Sequence, residues 1–145
     1  MPASAMHEQV ASSLGRADQR YTSRRRQLIE LLAAAGRPLS IPEILGSRPG
    51  LAQSSIYRNL DTLERAGAVR RVQGASDFAR YELGEELTEH HHHLVCTECG
   101  RITDFQVPPR HERSLERFLE DAAASSGFRT VAHRLDLIGL CADCV

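Results

Sequence analysis

Residues 90–100 of the chain are His-His-His-His-Leu-Val-Cys-Thr-Glu-Cys-Gly, four histidines that lead directly into a C-x-x-C pair. If residues 90–95 are extended, successive side chains point to opposite faces of a strand. His91 and His93 would then lie on one face, and His90 and His92 on the other. One strand can therefore supply two imidazole ligands to each of two metal sites. Imidazole suits Zn, Fe, Ni, Co and Mn to differing degrees.

The four cysteines form two C-x-x-C pairs separated by 41 residues: Cys96 with Cys99, and Cys141 with Cys144. No basic-then-apolar export signal opens the chain. In a protein that is not exported, paired C-x-x-C motifs are more typical of zinc than of disulfides. Four thiolates complete the tetrahedral shell of a structural zinc. Redox-active or disulfide-bonded pairs are the alternative. The long gap predicts a sheet that folds back between the two pairs.

Upstream, three segments repeat apolar residues at the spacing of an α-helix. The first is Thr22–Ala35. The second is a short segment that opens with the capping box Ser40-Ile41-Pro42-Glu43, stops near Gly46 and is followed by the turn Pro49-Gly50. The third runs from Ser54 or Ser55 to Gly67. Two strands, 68–72 and 78–83, flank the turn 73–77. This order predicts a winged helix-turn-helix, whose third helix enters the major groove of DNA. Residues 1–20 predict only a weakly specified arm or first helix.

The third helix presents a polar surface. Its apolar residues share one side, and its outer side carries Ser55, Tyr57 and Arg58. This surface either contacts DNA or is simply solvated. Residues 1–72 hold 11 arginines and 6 acidic residues, whereas residues 73–145 hold 7 and 13. The basic first half favours contact with a polyanion, although chance asymmetry of surface charge is the alternative.

Composition excludes other classes of protein. The chain has 145 residues, of which 41% are hydrophobic and 26% are charged, as in globular proteins. No apolar run approaches the roughly 18 residues that span a bilayer. We therefore expect a cytoplasmic protein without membrane partners.

The second half predicts a small β-α-β unit. Its elements are the strands His91–Val95 and Arg101–Phe105, a helix over 110–122, and a strand over Arg129–Leu140. So few residues leave the sheet incompletely covered, which predicts a homodimer. The fold class is therefore α+β, with an N-terminal winged-helix DNA-binding domain (1–83), a hinge (84–89) and a C-terminal α/β dimerisation domain (90–145).

Two isolated histidines of this half are also candidate ligands. His111 begins the predicted helix on the side of Leu115 and Phe118, and His133 shares a strand face with apolar residues. A lone histidine in such a position is more often a core residue than a ligand. The density of imidazoles upstream favours metal ligation for both.

Taken together, four motifs resemble the ferric uptake regulator (Fur) family of metal-sensing bacterial repressors. They are Ser-Ser-Ile-Tyr-Arg-Asn-Leu (54–60), Tyr-Glu-Leu (81–83), the tract 90–100, and Gly-Leu-Cys-Ala-Asp-Cys (139–144). The match runs from about residue 20 to residue 145 in the order that the family shows. It implies a dimeric, cytoplasmic winged-helix repressor whose C-terminal half dimerises.

The resemblance also implies roles for individual residues. It assigns a structural zinc to Cys96, Cys99, Cys141 and Cys144. It assigns a site inside the dimerisation domain to His90, His92, His111 and His133, where many members have an acidic residue in place of His92 or His111. It assigns the interdomain regulatory site to Glu82, His91, His93 and, as some members have an acid there, Asp104. It assigns DNA contact to Tyr57 and Arg58.

The chain departs from the family at two points. Many members supply a histidine just before the second helix of the DNA-binding motif, where this chain has Gly36-Arg37-Pro38-Leu39. The interdomain site is therefore either incomplete or completed by Glu82, Asp104 or the acidic residues of 85–89. Peroxide sensing depends on that histidine, and zinc sensors commonly add a fifth cysteine that this chain lacks. The sensed metal therefore stays open among Zn, Fe, Ni, Co and Mn, with a four-histidine site favouring Zn, Ni or Co.

The predicted function is metal-dependent repression. Metal between the two halves would fix one orientation of the DNA-binding domains on a palindromic operator. A small zinc enzyme is one alternative, but the chain has neither H-E-x-x-H nor the H-x-E and P-C-x-x-C motifs of zinc deaminases. A metal-buffering protein without DNA binding is the other alternative.

Overall fold

The computed structural model describes residues 1–47, 50–74 and 79–145. The helices of these residues are α1 (Ala3–Arg16), α2 (Ser23–Ala35), α3 (Ile41–Ser47), α4 (Gln53–Arg65) and α5 (Pro109–Ala124). The strands are β1 (Leu39–Ser40), β2 (Val69–Gln73), β3 (Ala79–Leu83), β4 (His92–Cys96), β5 (Ile102–Phe105) and β6 (Asp136–Gly139). This architecture is α+β, as predicted. The predicted turns at Pro49-Gly50 and 73–77 include residues that lie outside the described ranges.

The N-terminal segment is a well-formed helix. Helix α1 has 14 residues and buries Met6, Val10 and Leu14, which recur every four residues and so face the core of the first half. His7 is buried beside them, with Nδ1 2.6 Å from the hydroxyl of Tyr21, which lies two residues before α2. The interval of four residues on Met6, Val10 and Leu14 was the available signal for this helix.

Local chemistry sets the bounds of α2 and α3. Gly36 ends α2 in the left-handed conformation, with φ of 60°, which glycine adopts without a Cβ penalty. The capping box at α3 forms as predicted. The Ser40 backbone N–H donates to Glu43 Oε2 at 2.7 Å, and the Glu43 N–H donates to Ser40 Oγ at 3.3 Å. These reciprocal bonds fix where α3 begins.

The first half holds a three-stranded sheet in the order β1-β3-β2, rather than the predicted two-stranded hairpin. Leu39 of β1 pairs with Tyr81 of β3. On the other side of β3, Arg70 of β2 pairs directly with Glu82. Strand β1 has only two residues, too few for a periodicity signal, so tertiary pairing alone defines it.

The second half holds a sheet in the order β5-β4-β6, with β4 in the centre and parallel to β6. The predicted strand over 129–140 is shorter than expected, because only Asp136–Gly139 pair with β4. Helix α5 and strand β6 contain no buried residue in the single chain. This half therefore presents a large unpaired surface.

The two halves contact each other through a small apolar cluster. Val72 of β2 packs with Val95 of β4 and Ile102 of β5, and all three are buried. Between the halves, residues 85–87 form a single 3₁₀ turn whose Leu87 is buried in the first half. Gly84 precedes this turn and donates its backbone N–H to the carbonyl of Ala68 at 2.9 Å.

Substitution of Gly84 by alanine tests this close approach. A Cβ at Gly84 would lie 2.1 Å from the carbonyl oxygen of Gly67, a backbone atom that cannot rotate away. We expect Gly84→Ala to lower the free energy of unfolding by about 1–3 kcal/mol, measured by urea denaturation. Gly46→Ala is the matched control, because a Cβ added at Gly46 in α3 meets no described atom within 4 Å beyond its chain neighbours and the backbone of its own helix. It should stabilise the protein slightly. Equal effects of the two changes would contradict this account.

Candidate metal centres and nucleic-acid interface

The four cysteines come together at the end of the second sheet. Their Sγ atoms all lie within 4.8 Å of one another, and Cys99 Sγ is 3.7 Å from Cys141 Sγ. All four are free thiols. Four sulfurs about 2.3 Å from a tetrahedral zinc would be about 3.8 Å apart. The observed separation therefore fits a zinc site and does not fit a disulfide.

The electrostatics of this cluster also call for a cation. Backbone N–H groups of Cys99 and Cys141 lower the pKa of the Cys96 thiol to about 6. Hydrogen bonds to Cys141 and Cys99 raise the pKa of Cys144 to about 12. Thiols this close together cannot all ionise unless a positive ion neutralises them. The donor set thus suits Zn²⁺ bound by four thiolates.

A second cluster lies between the two halves. Glu82 on β3 meets His91, His93 and Asp104 of the second half, with one ligand atom of each within 4.8 Å of all the others. Glu82 Oε2 is 3.2 Å from His91 Nε2 and 3.1 Å from His93 Nε2. Asp104 Oδ1 lies 3.7 Å from His93 Nε2, and Asp104 Oδ2 lies 3.8 Å from His91 Nε2. The structure therefore brings together all four residues assigned to the regulatory site.

Strong coupling favours the charged forms of Glu82 and His91 in this cluster. Burial alone would raise the pKa of Glu82, but contacts with His91, His93 and Arg70 outweigh burial and keep that pKa well below its usual range. In turn Glu82 raises the pKa of His91 to about 9. Burial raises the pKa of Asp104. Two carboxylates facing two imidazoles give a mixed oxygen and nitrogen site that suits Fe, Mn, Co or Zn.

Two residues that the sequence did not single out orient this cluster. Asp136 Oδ1 lies 3.2 Å from His93 Nδ1, leaving Nε2 directed at Glu82. Metal-ligating histidines usually have such a carboxylate on the other ring nitrogen. Arg70 pairs with Glu82 Oε1, leaving Oε2 for the histidines. The register that places Arg70 opposite Glu82 was not available from the sequence.

A third cluster lies on the other face of β4 and consists of His90, His92, Glu112 and His133. His92 Nε2 is 3.0 Å from Glu112 Oε2, and His133 Nε2 is 2.8 Å from Glu112 Oε1. His90 Nε2 is 3.2 Å from Glu112 Oε1. The alternation predicted for the histidine tract therefore places its two pairs in separate clusters.

The assignment of His111 to this cluster was wrong. His111 is exposed, and its Nε2 accepts a hydrogen bond from Arg110 Nε at 3.1 Å. The inner face of α5 carries Glu112, Leu115 and Leu119, at helical spacings of three and four, while Phe118 is 68% exposed. The prediction placed Phe118 on the inner face of the helix. This assumption turned the predicted helix about its axis, so that His111 rather than Glu112 faced the cluster. The third cluster thus has three histidines and one carboxylate, so the metal preference argued from four histidines does not apply.

The third cluster and the interdomain cluster contain buried polar atoms without hydrogen-bond partners, which suit metal coordination. Among the described residues, Asp104 Oδ1, Glu112 Oε1 and His133 Nε2 are buried without a hydrogen bond of acceptable geometry. Glu112 Oε1 and His133 Nε2 are nevertheless only 2.8 Å apart. Buried polar atoms that converge without bonding one another fit shared coordination of a metal.

The DNA-binding half contributes only Glu82 to the described interdomain cluster. Where many relatives of this family type have a histidine, Arg37 donates to Glu43 Oε1 at 3.0 Å and to the carbonyl of Pro38 at 3.2 Å. Beside the cluster lies an open cleft of about 480 Å³ that Arg37 and Gly36 line on one side. Residues 36–39 contribute no side chain to the cluster that the described residues form.

Two of the three residues that were predicted to contact DNA lie exposed on the outer surface of α4. Tyr57 is 50% exposed and Arg58 is exposed. Ser55 is only 5% exposed, so the prediction of an outward Ser55 was wrong. Its Oγ accepts hydrogen bonds from Arg24 Nη1 at 3.3 Å and Asn59 Nδ2 at 3.2 Å, because Ser55 lies on the flank of α4 that packs on α2.

A polar groove of about 650 Å³ runs between α2 and α4. Arg24 and Arg25 line its α2 side, and Arg58 lines its α4 side. Arg25 Nε donates to Asn59 Oδ1 at 3.0 Å, which joins the two helices. Guanidinium groups at the edge of a groove suit contact with DNA phosphates. Periodicity alone did not single out Arg24 or Arg25.

The second half exposes a continuous apolar surface. Leu94, Leu137, Ile138 and Leu140 are between 42% and 64% exposed and line a shared cleft of about 450 Å³. Exposed apolar patches of this kind mark association surfaces. None of the helices in the described part of the chain has the length and apolar character that a bilayer crossing requires.

One half is a winged helix with an exposed Tyr57–Arg58 pair, and the other supplies most of three clusters of side chains that suit metal ligation. Together they define a metal-dependent DNA-binding regulator. The sequence pattern of the ferric uptake regulator family matches residues 16–138. The chain belongs to this family, as its motifs predicted. It is accordingly a homodimeric, metal-responsive transcriptional repressor that binds operator DNA, and not an enzyme.

Individual relatives are distant but cover nearly the whole chain. The peroxide-responsive repressor PerR of Staphylococcus aureus (strain USA300) is 28% identical over 141 residues, covering 94% of this chain and 90% of the relative. The Vibrio cholerae ferric uptake regulator is 25% identical, with a TM-score of 0.70 over 90% of this chain and 98% of that one. The Helicobacter pylori ferric uptake regulator, at 23% identity, shares the fold with a TM-score of 0.77 over 99% of this chain and 94% of that one.

The neighbours His111 and Glu112 give a matched test of the third cluster. Glu112→Gln removes the carboxylate charge that three histidines face, so we expect its metal affinity to fall by about tenfold or more. His111→Ala should leave metal affinity unchanged, because His111 lies outside the cluster. Chelator competition with Co(II) on zinc-loaded protein measures both. A loss on His111→Ala with none on Glu112→Gln would overturn the assignment.

Proposed function

We propose that metal bound by Glu82, His91, His93 and Asp104 is the switch that activates this repressor for DNA. The proposal rests on one observation, that the four ligands come from both halves of the chain. Glu82 lies on the wing of the DNA-binding half, and the other three lie on the sheet of the second half. One ion held by both halves links their orientations. We propose the boundaries 1–83, 84–89 and 90–145 for the DNA-binding domain, hinge and dimerisation domain.

The residues of this site favour one arrangement of the halves only when their charges are balanced. Glu82 and Asp104 are two partly buried carboxylates close together, and their mutual repulsion opposes closure. A bound divalent metal supplies the positive charge that both carboxylates and both imidazoles share. Closure then also buries Val72 against Val95 and Ile102. Metal binding shifts the population toward this arrangement, since the ligands converge only there.

The other two clusters belong to the second half. We propose that the four cysteines hold a structural zinc that stabilises the ends of β4 and β6. We propose that His90, His92, Glu112 and His133 hold a further divalent metal against α5. The regulatory metal is one of Zn, Fe, Ni, Co or Mn, and the two carboxylates of the interdomain site accommodate oxygen-preferring ions as well.

The dimer sets the DNA target. We propose that the apolar surface of Leu94, Leu137, Ile138 and Leu140 packs against the second copy, which places two α4 helices for the half-sites of a palindromic operator. The Vibrio cholerae relative is described as revealing structural rearrangement of its DNA-binding domains, which supports control through their orientation. We propose that this repressor acts in the cytoplasm.

Parallel metal titrations test the switch. A DNA ligand is first selected from a random pool with the metal-loaded protein. The affinity of the zinc-loaded dimer for this DNA is then measured by fluorescence anisotropy with added Zn, Fe(II), Mn, Ni or Co. We expect at least one metal to raise affinity by more than about tenfold. Glu82→Gln should abolish this gain, and His111→Ala should keep it. Metal binding without any change in DNA affinity would instead indicate a metal buffer.

The DNA interface is tested within a single helix. Arg58→Ala should weaken DNA binding by about tenfold or more, the cost of one base or phosphate contact. Arg65→Ala is the control, because Arg65 lies at the far end of α4 and pairs with Asp61. Neither change should alter metal affinity. Equal losses on both would mean that α4 contributes only general positive charge.

A further inference from the structure

Arg70 lies at the edge of the interdomain cluster without being a candidate ligand. It stands directly opposite Glu82 in the β2–β3 pair, and its side chain is only 20% exposed. Its Nε donates to Glu82 Oε1, and its Nη2 lies 3.4 Å from His91 Nε2. Its Nη1 lies 3.4 Å from Glu85 Oε1. The guanidinium thus spans from the interdomain cluster to the segment between the halves.

Glu85 continues this connection to the third cluster. Its Oε1 atom, which faces Arg70, is also 3.2 Å from His90 Nδ1. The other ring nitrogen of His90 is 3.2 Å from Glu112 Oε1. An unbroken line of polar contacts therefore runs from Glu82 through Arg70 and Glu85 to His90.

The space between the two clusters is narrow. Arg70, Glu85, His91, His93 and His133 surround it together with Asp136, and it is too small to admit a water molecule. Charges that face each other without intervening water interact more strongly than at an open surface. The Arg70 end of the line is the shielded part, with a side chain 20% exposed, whereas the side chains of Glu85 and His90 are 37% and 38% exposed.

We propose that the Arg70–Glu85 ion pair couples the two histidine clusters, so that a metal in either one weakens binding in the other. This inference rests on the proposed assignment of both clusters as metal sites. Arg70 and Glu85 act as positioning residues, because neither belongs to a set of ligands.

The sign of this coupling follows from how the His90 proton and the Glu85 charge would respond to a bound metal. A metal on His90 Nε2 leaves the proton on Nδ1 and makes it a stronger donor, which draws Glu85 toward His90. Glu85 then shares less of its charge with Arg70. The guanidinium pairs more fully with Glu82, whose carboxylate donates less to an ion in the interdomain site. By linkage, the same penalty applies in the reverse direction.

A thermodynamic cycle with Co(II) measures this coupling. Zinc-loaded dimer is titrated against a chelator to obtain the overall affinity for two ions per chain. His133→Ala and His93→Ala give the affinity of each remaining cluster alone. We expect the overall association constant for two ions to be about fivefold smaller than the product of the two single-cluster association constants, a deficit within the usual range for coupled sites.

Each measurement is repeated in the background of Glu85→Gln. This change breaks the line of contacts between the clusters, so the deficit in overall affinity should shrink to less than about twofold. Direct repulsion between the two bound ions accounts for what remains. Arg70→Gln should act alike. Glu86→Gln is the matched control, since Glu86 is exposed and carries the same charge one residue away. It should keep the full deficit. Circular dichroism and thermal unfolding verify that each variant is folded.

The outcomes separate this inference from the proposed function. An equal deficit in Glu85→Gln and in the unaltered chain would overturn the role of the ion pair, as would the absence of any deficit in the unaltered chain. Failure of Co(II) to bind either histidine cluster would instead overturn the proposed metal sites themselves.

Discussion

The alternation of side chains along one central strand is the constraint on which this structure depends. Strand β4 lies between β5 and β6, and its residues face opposite sides of the sheet. His93 and Val95 face the DNA-binding half, where they meet Glu82 and Val72. His92 and Leu94 face the other way, toward α5 and the exposed apolar surface. A single strand therefore positions both histidine clusters, the contact between the halves and part of the association surface.

Charge balance decides how these pieces respond to a metal. The interdomain cluster holds two carboxylates in a partly buried space, where Arg70 and the imidazoles face them. Such a site gains more from a divalent cation than an exposed pair would, because burial strengthens every charge interaction. Arg70 belongs to the wing, so the charge balance of the site and the position of the DNA-binding half are set by the same contacts.

Strong local signals in the sequence predicted most of the fold. The Ser40–Glu43 capping box, the glycine that ends α2 and the spacing of Ile56, Leu60 and Leu63 each act within a few residues. Features that depend on contacts between distant parts of the chain were not predicted from the sequence. Strand β1 has two residues and exists only by pairing with β3, and the burial of Ser55 depends on how α4 packs against α2. The choice between His111 and Glu112 turned on the rotation of α5 against the sheet.

The sequence by itself determined the ligand inventory: four cysteines in two pairs, a tract that must split between two faces, and a basic half followed by an acidic one. Residue type and strand periodicity suffice for this, because both are local properties. Only the tertiary structure decided which groups complete each cluster. Glu82, Glu112 and Asp136 reach their histidines across 11, 20 and 43 residues of chain. Sheet register and helix rotation set those meetings, and neither is encoded in any single segment.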